Sequence, residues 1–295
     1  MLQSISMRPE RPLLCLEVNP PRGVDVDPIL KRLEGKLEGV DFLNVTDCAL
    51  ARMKLAALPF ASILKQRFGC ETLVNVSCRD RNLIAIQADL LAGWATGVRS
   101  VVALTGDAVT VGDSPDRKGV FEVNSLGLLH AVATLNSGKD LAGNELKGAP
   151  QYVPGVVVNP NARNAGAEIR RLKKKKEAGA CYALSQPVFD AEAAVSFLKE
   201  AVSAEVPIFL GLLPLKNGKA AQGIANIPGI RLSEAMAKMM GEAGDKDLSR
   251  FFIDHCLKVA EAARPYVCGF HVVSGVTPLL AMDLVSELKG LVSRS

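Results

Sequence analysis

One plan recurs along the chain: a stretch with helical spacing closes on a glycine, and a short apolar, β-prone run follows at once. Gly39-Val40-Asp41 leads into Phe42-Leu43-Asn44-Val45, and Gly69-Cys70-Glu71 into Thr72-Leu73-Val74-Asn75-Val76. Gly97-Val98-Arg99 leads into Ser100-Val101-Val102-Ala103-Leu104, and Gly179-Ala180 into Cys181-Tyr182-Ala183-Leu184. Glycine just past a helix takes the left-handed conformation that ends it. A short apolar run behind such a stop is the pattern of a strand covered on both faces. With the other apolar runs, the expected strands are Leu13–Val18, Asp41–Val45, Thr72–Val76, Ser100–Leu104, Val153–Val158, Cys181–Leu184, Pro207–Leu212 and Gly269–Val273. Eight strand-then-helix units predict an α/β chain forming a (β/α)8 TIM-type barrel, one domain over residues 1–295. A doubly wound open sheet competes, but no GxGxxG follows any strand, so its dinucleotide-binding form has no support. Asp80 is expected to cap a helix carrying Leu83, Ile86, Leu90 and Trp94, and a second helix is expected over Asp247–Ala263. Two irregular stretches, Ala108–Gly119 and Asn136–Gln151, interrupt the pattern.

Composition excludes several functions. A net charge of +4 over 295 residues gives no general case for nucleic acid, and 5% aromatics with one Trp leave no stacking platform. No apolar run is long enough to span a membrane, and the first residues lack a signal-peptide pattern. Seven cysteines at scattered spacing, with no CxxC, read as reduced thiols, so a cytoplasmic location is expected.

In such a barrel the C-terminal strand ends face the site. Here they carry Glu17, Thr46-Asp47-Cys48, Ser77-Cys78, Thr105-Gly106-Asp107, Asn159-Pro160-Asn161, Ser185-Gln186-Pro187 and Ser274. Glu17 is followed by Asn19-Pro20-Pro21-Arg22, a rigid stop, because proline cannot donate to a ladder and restricts the residue before it. Histidine is nearly missing from the ring: His130 and His255 fall in helical patterns and His271 inside strand 8. A Ser-His-Asp triad is therefore not offered, and no metal site is expected. Proton transfer by Glu17 or Asp107 and orientation by Gln186 and the asparagines remain. Each has a plainer reading: Glu17 as a buried acid paired with Arg22 or Lys54, Asp107 as a cap, Gln186 as a turn residue. The basic run Arg170–Lys176 places Glu168, Arg171 and Lys174 or Lys175 on one helix face, which suits either solvent or a phosphate.

Leu16-Glu17-Val18-Asn19-Pro20-Pro21-Arg22, Asn44-Val45-Thr46-Asp47, Ala103-Leu104-Thr105-Gly106-Asp107 and Leu184-Ser185-Gln186-Pro187-Val188-Phe189-Asp190 stand in an order and spacing that resembles the methylenetetrahydrofolate reductase family. The segment Ser77-Cys78-Arg79-Asp80-Arg81-Asn82-Leu83 is most similar to the reductase half of bifunctional homocysteine methyltransferase–reductases. The resemblance implies a flavin barrel, with FAD or alternatively FMN, that reduces 5,10-methylenetetrahydrofolate to 5-methyltetrahydrofolate. It implies Glu17 as general acid, Asp107 as a carboxylate near flavin and pterin, and Gln186 as a folate contact. It implies cofactor contacts from Thr46, Asp47, Asn75, Thr105, Gly106, Asp107, Asn159 and Ala162, and from Glu168, Arg171, Lys174 and Lys175 around the adenosine and diphosphate. Electrons would come from NADH or NADPH, or from an electron-transfer partner protein, and a homo-oligomer is expected. The chain departs from the family pattern at Asn75 and Asn159, where several relatives carry His, at Pro187-Val188, and at His271–Pro278, which lacks the Asn-Arg expected for the folate tail. Two other readings stand beside this one: a pterin-binding methyltransferase barrel without flavin, and a partner-dependent flavin subunit of an electron-transfer complex.

Overall fold

A computed structural model describes residues 2–225, 229–244 and 246–292. Met1 and residues 293–295, at the ends of the expected domain, lie outside the described residues. Eight parallel strands close into a barrel in the order β1 to β8, with β8 hydrogen-bonded back to β1. The strands are β1 Leu13–Val18, β2 Phe42–Val45, β3 Glu71–Ser77, β4 Ser100–Leu104, β5 Val153–Val158, β6 Tyr182–Pro187, β7 Ile208–Leu212 and β8 Gly269–Val272. The α-helices between and after them are α1 Asp27–Leu33, α2 Ala57–Phe68, α3 Leu83–Ala95, α4 Ser125–Asn136, α5 Ala165–Glu177, α6 Ala191–Ala201, α7 Gly218–Ala225, α8 Glu234–Ala243, α9 Ser249–Ala263 and α10 Pro278–Val292. The closed parallel sheet is the (β/α)8 architecture expected from the glycine-stopped repeats, and the open sheet is excluded.

Gly69, Gly97 and Gly179 stop helices as anticipated, whereas α1 already ends at Leu33 and Gly39 turns the loop before β2. Gly69 takes φ +67° and donates its N–H to the Lys65 carbonyl at 2.8 Å, closing α2 directly before β3. Three other details differ. The cap of α3 is Asn82, whose side chain accepts from the Ala85 N–H at 2.9 Å; Asp80 instead pairs with Arg79 at 2.7 Å. Asp80 lies two residues too early, so its carboxylate answers the nearer guanidinium. Helix α9 begins at Ser249, with Asp247 Oδ1 accepting the Ser249 N–H just outside it. Strand β6 runs on through Ser185, Gln186 and Pro187 rather than ending at Leu184.

Alternation along the strands splits the apolar residues into two layers. Leu14, Leu16 and Val18 join the large core between sheet and helices, while Leu13 and Cys15 join Phe42, Leu73, Val102, Tyr182 and Phe209 inside the barrel. Phe209 meets Phe42 and Tyr182 edge-on, with centroids 6.0 and 6.1 Å apart, and the Tyr182 hydroxyl lies 2.7 Å from Ser100 Oγ. This plug leaves no room at Gly155, where a Cβ would fall 2.3 Å from the Tyr182 ring. Gly155→Ala is therefore expected to cost about 1–3 kcal/mol of stability through overpacking, read by equilibrium urea unfolding. A loss inside the error of that measurement would show that the ring has space to yield.

No helix among the described residues is long and apolar enough to cross a membrane.

Candidate active site

Inside the barrel, the last inward position of β1 is Glu17, paired in register with Asn44 of β2. Asn44 Nδ2 donates to the Asn75 Oδ1 of β3 at 2.9 Å and to the Leu73 carbonyl at 2.8 Å. Above the apolar plug there is thus a polar row of Glu17, Asn44 and Asn75. His271 of β8 pairs in register with Cys15, one layer below Glu17. Both of its ring nitrogens are buried without a hydrogen-bond partner, and burial pushes it down to about 4. It is a neutral core histidine at physiological pH, as its place within a strand suggested.

Glu17 does not pair with Arg22 or Lys54. Arg22 forms an ion pair with Asp113 instead. Four donors converge on Glu17 Oε1: Ser274 Oγ at 3.0 Å, Asn19 Nδ2 at 3.1 Å, and the backbone N–H groups of Ser274 and Gly275, each at 3.2 Å. Its side chain stays partly open to the barrel mouth. Burial raises its pKa from the ordinary carboxylate value, and the hydrogen bonds from Ser274, Gly275 and Asn19 oppose that rise. The result is an acid poised to be protonated further toward neutrality than a free glutamate.

Thr46 donates its hydroxyl to Asn19 Oδ1 at 2.7 Å, so it is joined to Glu17 through one residue. Asp47 is engaged elsewhere: its carboxylate is buried, takes the Ser77 N–H at 2.8 Å and pairs with Arg81. Arg79, also buried, donates to the Cys48 carbonyl at 3.0 Å.

Asp107 is exposed at the end of β4, where its Oδ2 accepts the Leu50 N–H at 2.9 Å. Leu50 belongs to a strained turn. Cys48, Leu50 and Ala51 all have positive φ, at 44°, 54° and 51°. Such non-glycine conformations persist only where surrounding contacts hold them, and they gather at functional sites. Gly106, just before Asp107, has φ +96°, and a Cβ there would lie 2.3 Å from Ser77 Oγ. The β3 and β4 ends therefore approach more closely than any other residue would allow.

On the opposite side of the mouth, the register of β6 against β7 shifts between Leu184 and Pro187. The Ser185 hydroxyl bridges the irregularity, accepting the Gly211 N–H at 2.8 Å and donating to the Gln186 carbonyl at 2.8 Å. Gln186 and Asn159 come together across Gly229, whose Cβ would meet Asn159 Nδ2 at 3.3 Å and Gln186 Cγ at 3.5 Å. Ala162 donates its N–H to the Asn159 carbonyl at 3.2 Å, closing the turn after β5.

Thr105 leads outward into a cavity of about 470 Å³, lined by Asn124, Ser125 and Leu126 at the start of α4 and by Arg170, Arg171, Lys174 and Lys175 of α5. Glu168 is buried, accepts the Asn159 N–H at 3.0 Å and pairs with Arg171 at 2.6 Å. Lys175 is buried too, with Nζ donating to the Val157 carbonyl at 2.7 Å, and desolvation lowers its pKa. Arg170 and Lys174 are exposed. The first N–H groups of α4 are taken by Thr105 Oγ1 and Asn124 Oδ1, so the positive character of this cavity comes mainly from Arg170, Arg171 and Lys174 of α5.

Asn19, Ser274 and Asn44 stand out as residues that strand-end reading undervalued. Asn19 reads as part of the proline turn and Ser274 as one polar strand end among several. Only closure of β8 onto β1 brings Ser274 to Glu17. A faint signal existed in the polar Asn19 lying two residues beyond an acid inside an apolar run.

A family model described as methylenetetrahydrofolate reductase matches residues 2–277. The 5,10-methylenetetrahydrofolate reductase of Salmonella typhimurium is 28% identical over 238 residues, covering 79% of this chain and 75% of that protein. That of Escherichia coli is 28% identical over 236 residues, covering 79% and 74%. Among solved structures, an uncharacterized protein from Clostridium thermocellum, which binds two copies of 5-methyl-5,6,7,8-tetrahydrofolic acid, superposes with a TM-score of 0.69. It covers 98% of this chain and 99% of its own, at 16% identity, a likeness of fold.

Proposed function

The chain belongs to the methylenetetrahydrofolate reductase family, and from that premise we propose that it reduces 5,10-methylenetetrahydrofolate to 5-methyltetrahydrofolate with Glu17 as the general acid. The observation that carries the reading is Glu17 itself: an acid at the barrel mouth, raised by burial, with one oxygen saturated by donors and its side chain open toward the site. Opening the five-membered ring of the substrate needs a proton on a nitrogen, and Glu17 is the group that holds one. Asp107, a carboxylate across the mouth, favours the iminium cation that ring opening produces. Gln186 and Asn159 present amides on the β5–β6 side, where they orient the substrate or the cofactor.

The chain works as one flavin- and folate-binding domain over residues 1–295. FAD is the cofactor that the site suits best, with FMN the smaller alternative. The α4–α5 cavity supports this choice, because Arg170, Arg171 and Lys174 line it and suit the diphosphate-bearing half of FAD. Arg171, Lys174 and Lys175 would face the diphosphate side, with Glu168 holding Arg171 and the turn at Asn159. Thr105, Gly106 and Asn75 would line the ring-bearing end, and Thr46, Asp47 and Ala162 would shape its borders. When bound, the flavin supplies the hydride that completes the reduction. NADH, NADPH or an electron-transfer partner protein refills it, and the chain self-associates.

A donor-independent experiment tests this. The purified protein is expected to carry flavin absorbance or to take up FAD. After dithionite reduction, methylenetetrahydrofolate should restore the oxidised spectrum and yield one 5-methyltetrahydrofolate per flavin. A protein that stays colourless after incubation with FAD and FMN, yet still binds methyltetrahydrofolate, would overturn the reductase reading in favour of methyl transfer.

A further inference from the structure

We infer that Asn19 and Ser274 are positioning residues that decide which oxygen of Glu17 carries the transferable proton, namely Oε2. The inference rests on the reading of Glu17 as the acid. All four hydrogen bonds to the carboxyl group go to Oε1: two from backbone N–H groups, one from the Ser274 hydroxyl and one from the Asn19 amide. Oε2 has no partner among the described residues. Three of these groups, the two backbone N–H groups and the Asn19 amide, can only donate, so a proton on Oε1 would oppose them and the acid form is the Oε2–H tautomer.

The donors are themselves held. Asn19 Nδ2 also points at Ser274 Oγ, 3.0 Å away, and at the Gly275 carbonyl, 3.3 Å away. The Gly275 carbonyl can only accept, so it fixes Nδ2 as the end of the amide that faces Glu17, and Oδ1 then accepts the Thr46 hydroxyl at 2.7 Å. Ser274 is buried, and its N–H and that of Gly275 form two successive donors on one small concave turn, an arrangement suited to a carboxylate. The proline stop after Asn19 keeps this side chain from swinging away, since Pro20 and Pro21 leave the backbone little freedom. A Thr46–Asn19–Glu17–Ser274 chain therefore runs across the mouth from β2 through β1 to β8.

The groups packed nearest Glu17 leave this network as the main local influence. On its own strand Cys15 is buried with its thiol pushed up, and on β8 His271 is neutral with its value near 4. From β2 the facing residues are Asn44 and Thr46, which carry no charge. Losing a donor to Oε1 destabilises the carboxylate, so Glu17 should stay protonated to higher pH. It also leaves three donors on Oε1 in place of four, which narrows the preference for Oε2–H, so a smaller share of the acid form is aimed correctly.

The test compares the wild-type holoenzyme with Asn19→Leu, Ser274→Ala, Ser274→Thr and Glu17→Gln. Infrared titration of protein labelled with ¹³C-glutamate follows the Glu17 carboxyl directly, its band assigned by its loss in Glu17→Gln. In parallel, the rate at which methylenetetrahydrofolate oxidises the dithionite-reduced enzyme is followed against pH. Asn19→Leu and Ser274→Ala are expected to move the carboxyl titration and the alkaline limb of the rate to higher pH. They should also lower the plateau rate by about 10- to 100-fold. Ser274→Thr, which keeps the hydroxyl, should restore the limb. A titration that is unmoved, or moved to lower pH, in both Asn19→Leu and Ser274→Ala overturns the inference. A wild-type rate in Glu17→Gln would instead remove Glu17 as the acid, a separate failure seen in a separate variant.

Discussion

Replacing Glu17 by glutamine is expected to lower the oxidation of reduced enzyme by methylenetetrahydrofolate by about 10²–10⁴-fold, the range for removing a positioned general acid. The substitution is close to isosteric. A glutamine carbonyl oxygen can still accept from Ser274, Gly275 and Asn19, the donors that hold Oε1 now. The amide nitrogen then stands where Oε2 stood, and an amide cannot deliver a proton at neutral pH. Thermal stability should hold or rise, because burial of the carboxyl opposes its ionisation and the amide avoids that cost. In the wild type the rate should fall as pH rises through the Glu17 pKa, since the protonated form is the reactive one. Burial raises that pKa, so the falling limb lies above the pH at which a solvated glutamate ionises. Glu17→Gln should lose the limb together with the rate. Single-turnover stopped flow across pH, with product quantified, decides the matter. A rate within twofold of wild type would assign the proton to another group.

What made the barrel legible was local. A short apolar, β-prone run, with or without a left-handed glycine before it, is set by a few adjacent residues, so β1, β4 and β5 match their expected spans and most others shift by one residue. The larger miss, β6, has a non-local cause. Its continuation through Gln186 and Pro187 depends on Ser185 capturing the Gly211 N–H, a bond between residues 26 apart. The chemistry of the site divides in the same way. Strand ends identified Glu17, but apart from Asn19 its donors lie at Ser274 and Gly275, more than 250 residues away, and no spacing rule announces them. Asp47 shows the converse. By position it belongs to the mouth, yet Arg81 and the Ser77 N–H occupy its carboxylate, a pairing that becomes visible only when β2 and β3 lie side by side. The basic run on α5 was open between solvent and phosphate. Burial of Glu168 and Lys175 turns part of it inward, and the cavity against α4 gives the rest an anion-sized space.

Asp107 anchors the Leu50 turn and is proposed to act on the substrate as well, two roles that one substitution would confuse and two can separate. Its Oδ2 holds the Leu50 N–H in a turn with three left-handed non-glycine residues, and the proposed function gives its charge the task of favouring the substrate cation. Asparagine retains an acceptor of the same shape for Leu50 but removes the charge. Alanine removes both. If charge stabilisation is the larger function, Asp107→Asn should lower methylenetetrahydrofolate reduction by about 10²-fold, a typical cost of losing one preorganised electrostatic partner, with unfolding unchanged. Asp107→Ala should reach at least the same loss and also give up about 1 kcal/mol of stability, the worth of an ordinary hydrogen bond at an exposed position. The excess loss in alanine over asparagine measures how far the strained Cys48–Ala51 turn shapes the site. The turn has a second support, the Arg79 donor to the Cys48 carbonyl, so release of Leu50 should loosen it without unfolding the barrel. Hydrogen exchange at the Leu50 amide offers an independent reading. It should speed up in Asp107→Ala and stay slow in Asp107→Asn. Wild-type turnover in Asp107→Asn, with a deficit confined to Asp107→Ala, would make this carboxylate a loop anchor and leave Glu17 as the only carboxyl group acting on the folate.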